Sequence, residues 1–246
     1  MDYMIWLNGE YVSRGEAKIS MQDRGFRSAD VVFDTSRTFN GKVFRLRDHL
    51  KRFYRSLTYV RIDPGMTIDE MERLTLEVVD RNEPIREVGD DYMITQIVTR
   101  GVAHPGSSEM KPTVSIWIDP MGFERFASLY DAGAHVVIPK TRSYTSEQVD
   151  PKVKHYNRLN FSMAQLEAHD VDPEAFPVLL DTDGNISEST GSNFMIITDG
   201  VLRTPGDQNI LQGISRMTLM ELAEQLGIPT SEETLQPYDV YTADEA

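Results

Sequence analysis

The sequence predicts a two-domain α+β fold, or an irregular α/β one, and three observations carry the prediction. Strand-like runs cluster around Asn-Gly and Asp-Gly turns instead of alternating one by one with helices. Runs with helical spacing are mixed among those clusters, and one of them opens with a capping box. Across residues 119–130 the pattern breaks at Pro120 and Gly122, which divides the chain into a first domain (residues 1–118), a linker (119–130) and a second domain (131–246).

The first turn is Asn8-Gly9, a pair suited to a two-residue hairpin, between strands over 3–7 and 10–12. A second hairpin at Asn40-Gly41 joins Val31–Phe39 to Lys42–Leu46. A helix over 47–60 follows, with Leu50, Phe53, Leu57 and Val60 on one buried face. Thr67 and Glu70 form the capping box of the next helix, which runs to about Asn82. β-Branched residues mark strands over 92–99 and 113–118. In the second half, 135–138, 178–181 and 193–198 read as strands, Asp183-Gly184 as a turn and Asp199-Gly200 as a hairpin turn. Leu159, Met163 and Leu166 mark one helix; Leu219, Leu222, Ala223 and Leu226 mark another, closed by Gly227.

Composition removes several functions. The 246 residues carry 25 Lys plus Arg against 39 Asp plus Glu, a formal charge of −14, so phosphate backbones and anionic lipid surfaces are repelled. Neither nucleic acid nor membrane is an expected partner. With no cysteine, disulfides, thiolate catalysis and iron–sulfur clusters are excluded, and the five histidines are not paired at metal-ligand spacing. No apolar run suffices to cross a bilayer, and the N-terminal segment lacks the basic start of a signal peptide, so the expected compartment is the cytoplasm. Phosphate-loop, dinucleotide-loop, serine-hydrolase and zinc-protease motifs are missing.

Three segments remain. Lys154, in Val153-Lys154-His155-Tyr156-Asn157, stands where an extended piece meets a helix, a place for a reactive amine; by composition alone a solvated lysine is the commoner reading. Gly213-Ile214-Ser215-Arg216 precedes a helix and reads as an anion site or as an ordinary N-cap at Ser215. Ile186–Phe194 is a small, polar stretch with one acid, Glu188, and reads as a loop.

Together, and in this order, Lys154-His155-Tyr156-Asn157, Glu188-Ser189-Thr190-Gly191-Ser192-Asn193 and Gly213-Ile214-Ser215-Arg216 resemble the class IV pyridoxal-phosphate aminotransferases. That family includes branched-chain and D-amino-acid aminotransferases, R-selective amine transaminases and aminodeoxychorismate lyase. Leu7-Asn8-Gly9-Glu10, Ser20–Phe26 and Arg47–Phe53 extend the likeness over nearly the whole chain.

The resemblance implies fold type IV, with a small α/β N-terminal domain, a larger pseudo-barrel C-terminal domain and pyridoxal 5'-phosphate between them. It implies that Lys154 binds the cofactor covalently and serves as acid and base. Glu188 would face the pyridine nitrogen. Arg52 would reach the phosphate as a charged fork, with Ile214 and Ser215 cupping it and Ser192 and Asn193 closing that end. Phe33, Thr35 and Arg37, on one strand face, would line the substrate pocket, where Arg37 either meets a carboxylate or pairs with Asp34 or another acid.

Departures from the family pattern shape the expected substrate. The tyrosine that branched-chain enzymes place five residues after the lysine is Leu159 here. The Arg and His that trap a carboxylate in D-amino-acid enzymes fall at Pro105 and Ser107, with His104 nearby. The expectation is an aminotransferase acting between a hydrophobic amino acid or R-amine and a 2-oxo acid, in a homodimer. The alternatives are a lyase of the aminodeoxychorismate type or a non-catalytic relative. Residues 240–246 resemble a family segment that normally continues, so a further phosphate-touching loop is expected beyond them.

Overall fold

Asn8 and Gly9 adopt φ of 50° and 102°, the left-handed pair that a tight hairpin requires, between β1 (Met4–Leu7) and β2 (Glu10–Ser13). The structure is a computed structural model describing residues 2–87, 89–103, 106 and 108–246. Its internal contacts define two units: Met1–Arg125 with Lys154–Asn157, and Phe126–Val153 with Arg158–Ala246.

In the first unit, a short helix α1 (Arg24–Ser28) leads into β3 (Val31–Phe39), and Asn40-Gly41 turns into β4. That strand covers only Lys42–Val43, shorter than the sequence pattern predicts. Arg45 takes a left-handed conformation (φ 48°), and Leu46 becomes the first residue of α2 (Leu46–Val60). There Leu46 joins Leu50, Phe53 and Leu57 on the buried face, while Val60 is only half-buried. The capping box of Thr67 and Glu70 opens α3 (Ile68–Asn82). The strands β5 (Tyr92–Ala103) and β6 (Met110–Pro120) outrun their β-branched cores. Pairing continues past an irregularity between Thr99 and Val102, where Gly101 (φ +77°) is needed: a Cβ there would lie 1.7 Å from the Lys111 carbonyl oxygen.

These strands form one antiparallel sheet in the order β2-β1-β6-β5-β3-β4, with α2 packed on β3 and α3 on β1 and β6. Its helix-facing side carries Val32, Ile94, Val98, Ile116 and Ile118, buried against Leu50, Phe53, Met71 and Val78. The alternation that sends these residues inward puts Phe33, Thr35 and Arg37 on the other face.

After two short helices, α4 (Glu124–Ala127) and α5 (Leu129–Ala132), the second unit contains two three-stranded sheets. One has the order β7 (Val136–Val137), β8 (Phe176–Leu180), β9 (Ile186–Ser189). The other has the order β10 (Ile196–Thr198), β11 (Val201–Pro205), β12 (Thr230–Glu233). β8 is buried on both sides: Val178 and Leu180 join Ile186, Ile196 and Leu235, whereas Leu179 meets Phe161 and Ala164 of α6 (Leu159–His169). The chain ends with α7 (Ile214–Gln225), β12 and α8 (Pro237–Tyr241).

Three local expectations are corrected here. Ile186–Ser189 is a strand, not a loop, and all four residues are buried. The third strand begins at Ile196 instead of Asn193, because Asn193 is engaged in the turn that follows β9. The helix α6 exists, but Leu159, Met163 and Leu166 are exposed while Phe161, Ala164 and Ala168 face inward.

Candidate active site

Lys154 owes its position to its backbone. Its N–H donates to Ser56 Oγ of α2 (3.2 Å), and its carbonyl accepts from Phe33 N–H of β3 (3.0 Å). His155 adds a bridge to Val32, so the segment lies along the free edge of β3. Val153 and His155 are buried, and the extended backbone turns the half-buried Lys154 side chain the other way. Lys154 Nζ lies 4.8 Å from the centre of the Phe33 ring, and Phe33 stacks on Tyr156 at 4.0 Å and 8°. Lys152, two residues earlier, is spent on Asp150 (3.2 Å) and the Gln208 carbonyl (3.2 Å).

Arg52 lies on the buried face of α2 and holds Asp34 of β3 in a two-pronged pair, Nε to Oδ2 at 2.8 Å and Nη2 to Oδ1 at 2.7 Å. His49 Nδ1 is 2.8 Å from the same Oδ1. Burial pushes the Asp34 carboxyl up, but the Arg52 charge and the hydrogen bonds from His49 and Arg52 outweigh it and hold the carboxyl below the usual carboxylate range. In the sequence Asp34 is only a possible partner of Arg37, and His49 has no role. The available signals were an acid within a buried strand and the His49/Arg52 spacing of three on α2.

On the opposite face of β3, Thr35 Oγ1 lies 3.1 Å from Thr95 Oγ1 across the strand pair. Arg37 donates from Nε to the Thr38 carbonyl (3.1 Å), lies 3.7 Å from Asp91, and stacks on Phe39 (3.9 Å) and Phe123 (4.7 Å). Its acid partner is therefore Asp91, while Asp34 belongs to Arg52. His104, Pro105 and Ser107 lie outside the described residues.

The second unit holds the other predicted residues. Glu188 is buried in β9, and its Oε2 accepts from Leu211 N–H (3.0 Å) and Asn193 Nδ2 (3.1 Å). The intervening turn closes through Ser189 N–H to the exposed Ser192 carbonyl (2.9 Å), and Arg158 donates to the Thr190 carbonyl. Asn193 Nδ2 also reaches the Leu211 carbonyl at 2.9 Å. The N-cap of α7 is Gly213, not Ser215, and no side chain caps this end. Ile214 is the first, buried helical residue and Ser215 the exposed second. Gly213 admits no side chain, because a Cβ would fall 1.9 Å from Asn193 Oδ1. Arg216 is structural: it ties α7 to Thr204, the Pro205 carbonyl and Glu232.

Residues 31–246 match the family model described as amino-transferase class IV. The chain is 38% identical to a Methanocaldococcus jannaschii protein named as a branched-chain-amino-acid aminotransferase, over 98% of this chain and 82% of that one. It is 32% identical to the D-alanine aminotransferase of Staphylococcus aureus, over 98% and 83%. The branched-chain aminotransferase of Thermobaculum terrenum, solved in its PLP-bound form, superposes with a TM-score of 0.85 at 25% identity, covering 99% of this chain and 80% of that one. These likenesses have one meaning: the chain belongs to the class IV aminotransferases, transaminases of fold type IV that use pyridoxal 5'-phosphate.

Proposed function

We propose that the protein moves an amino group between a hydrophobic amino acid or R-amine and a 2-oxo acid, as a homodimer. The observation that carries the substrate class is the wall beside Lys154. Phe33 lies next to its amine, Thr35 follows on the same strand face, and the cation of that face, Arg37, is engaged by Asp91 and two rings. An uncharged wall favours an apolar donor side chain over an acidic one. The names of the relatives, branched-chain and D-alanine aminotransferases, agree with an apolar donor.

The donor groups present fit pyridoxal phosphate. A buried carboxylate fixed by two N–H donors suits a protonated ring nitrogen, and the uncapped N-terminus of α7 suits a phosphate. When bound, the cofactor supplies a carbonyl for amine exchange and an electron-withdrawing ring that stabilises negative charge at the donor's α-carbon. Lys154 Nζ would anchor it and then take and return the α-proton. Arg52, whose orientation Asp34 fixes, would bind the phosphate with Ile214 and Ser215. Glu188 would hold the ring nitrogen's proton in place, and Ser192 would help close the phosphate end. Phe33, Thr35 and Arg37 would face the donor.

An amino-donor screen with both enantiomers, using cofactor-loaded protein, tests this. Turnover of apolar donors with a 2-oxo acid acceptor is expected. A preference for acidic donors, or pyruvate release from aminodeoxychorismate without an acceptor, contradicts it.

A further inference from the structure

We infer that Asn193, which the family resemblance places at the phosphate end, is instead a positioning residue that acts through Glu188, holding its carboxylate ionised and aimed, and does not itself touch the cofactor. The inference rests on the reading that Glu188 faces the ring nitrogen. The side-chain amide of Asn193 is committed in two directions, to Glu188 Oε2 at 3.1 Å and to the Leu211 carbonyl at 2.9 Å. Its oxygen packs against Gly213, so closely that Gly213 has no room for a Cβ. The backbones of Glu188 and Asn193 are bridged as well. One side chain thus ties together the buried acid, the segment before α7 and the helix N-terminus.

The chemical consequence concerns where a proton resides. A carboxylate that accepts hydrogen bonds is stabilised in its charged form, so it remains an acceptor. With Leu211 N–H and Asn193 both donating to Oε2, the proton shared with a ring nitrogen stays on the nitrogen. Removing the amide makes Glu188 more basic and less well aimed, and the proton shifts toward the carboxylate. The ring then withdraws electrons less strongly, although the phosphate contacts and Lys154 are untouched.

The test uses full-length protein loaded with pyridoxal phosphate labelled with 15N in the ring, and follows the ring nitrogen's chemical shift against pH. Asn193→Ala and Asn193→Ser are expected to move the ring nitrogen's shift at neutral pH toward the unprotonated value, as about a tenfold change in the proton's distribution between nitrogen and carboxylate would do. Cofactor affinity should stay within about threefold of wild type, a split that general loosening of the fold would not give. Glu188→Gln serves as the reference. If it leaves the ring nitrogen's titration unchanged, the reading of Glu188 fails. If Glu188→Gln abolishes ring protonation while both Asn193 variants titrate like wild type, the reading of Glu188 stands and the role of Asn193 is overturned. Should neither Asn193 variant fold, the wild-type protein still decides: the Asn193 side-chain amide resonance is expected to move on loading with cofactor, and an unmoved resonance overturns the proposal.

Discussion

Asp34 is wholly buried beside Arg52, and the pair shows how a single side chain can decide both stability and site geometry. Removing one partner of a buried ion pair leaves the other charge uncompensated, which costs about 3–5 kcal/mol. Asp34→Ala should therefore lower the denaturation free energy by that much, measured by urea unfolding of the cofactor-free protein. Arg52→Lys keeps a cation beside Asp34 but loses the planar fork. If Arg52 binds the phosphate, this change weakens cofactor affinity by about 1.5–3 kcal/mol, or roughly one to two decades. Unchanged affinity removes Arg52 from the site. For Glu188→Gln, a barrier rise of ~3–5 kcal/mol slows the amino-transfer half-reaction by roughly two to four decades. Stopped-flow traces within a few-fold of wild type at saturating cofactor contradict its role. Lys154 and Glu188 stood out in the sequence through the family resemblance of the segments that hold them. Asp34 did not, because its importance comes from α2 folding onto β3, a contact between residues 18 apart.

At the scale of elements, acid stability reports on the β3–α2 pairing. The Asp34 carboxyl titrates lower in the folded chain than in the unfolded one. Its contribution is therefore complete above the unfolded value of about 3.9 and is lost as pH falls through the lower folded value. Replacing Asp34 with Asn should flatten the acid limb of stability against pH in that window, and an unchanged limb contradicts the pairing. The start of α3 is a separate, local feature. Thr67→Ala removes the side-chain half of a reciprocal cap, leaves the residue-67 N–H on Glu70 Oε2, and should cost about 1 kcal/mol with transaminase activity unchanged. The three hairpin turns and this cap were readable because each depends on neighbouring residues only. The buried face of α6 was not. Apolar residues occur all around that helix, and the side that turns inward is the one where Ala164 and Ala168 allow close approach to β8. The strand Ile186–Ser189 hid for a related reason: its small hydroxyls look like a loop but are satisfied by tertiary partners, as with Ser187 Oγ on the Asn209 carbonyl (2.8 Å).

For the whole molecule, the division into units has one feature that no local pattern announces: Lys154–Asn157 belongs with the first unit although the residues on both sides of it belong to the second. The reason is a set of contacts distant in sequence, to Ser56, Val32 and Phe33, and these same contacts fix the backbone of Lys154. Exposed Leu159, Met163 and Leu166 on one face of α6 support a partner subunit, and sedimentation velocity should find twice the chain mass at micromolar concentration. A monomer under those conditions contradicts the homodimer. The identity of the amine is tested most directly by reducing the cofactor-loaded protein with borohydride and mapping the modified peptide by mass spectrometry. The cofactor is expected on Lys154; finding it on Lys152 or Lys140 instead contradicts the assignment on which the site is built.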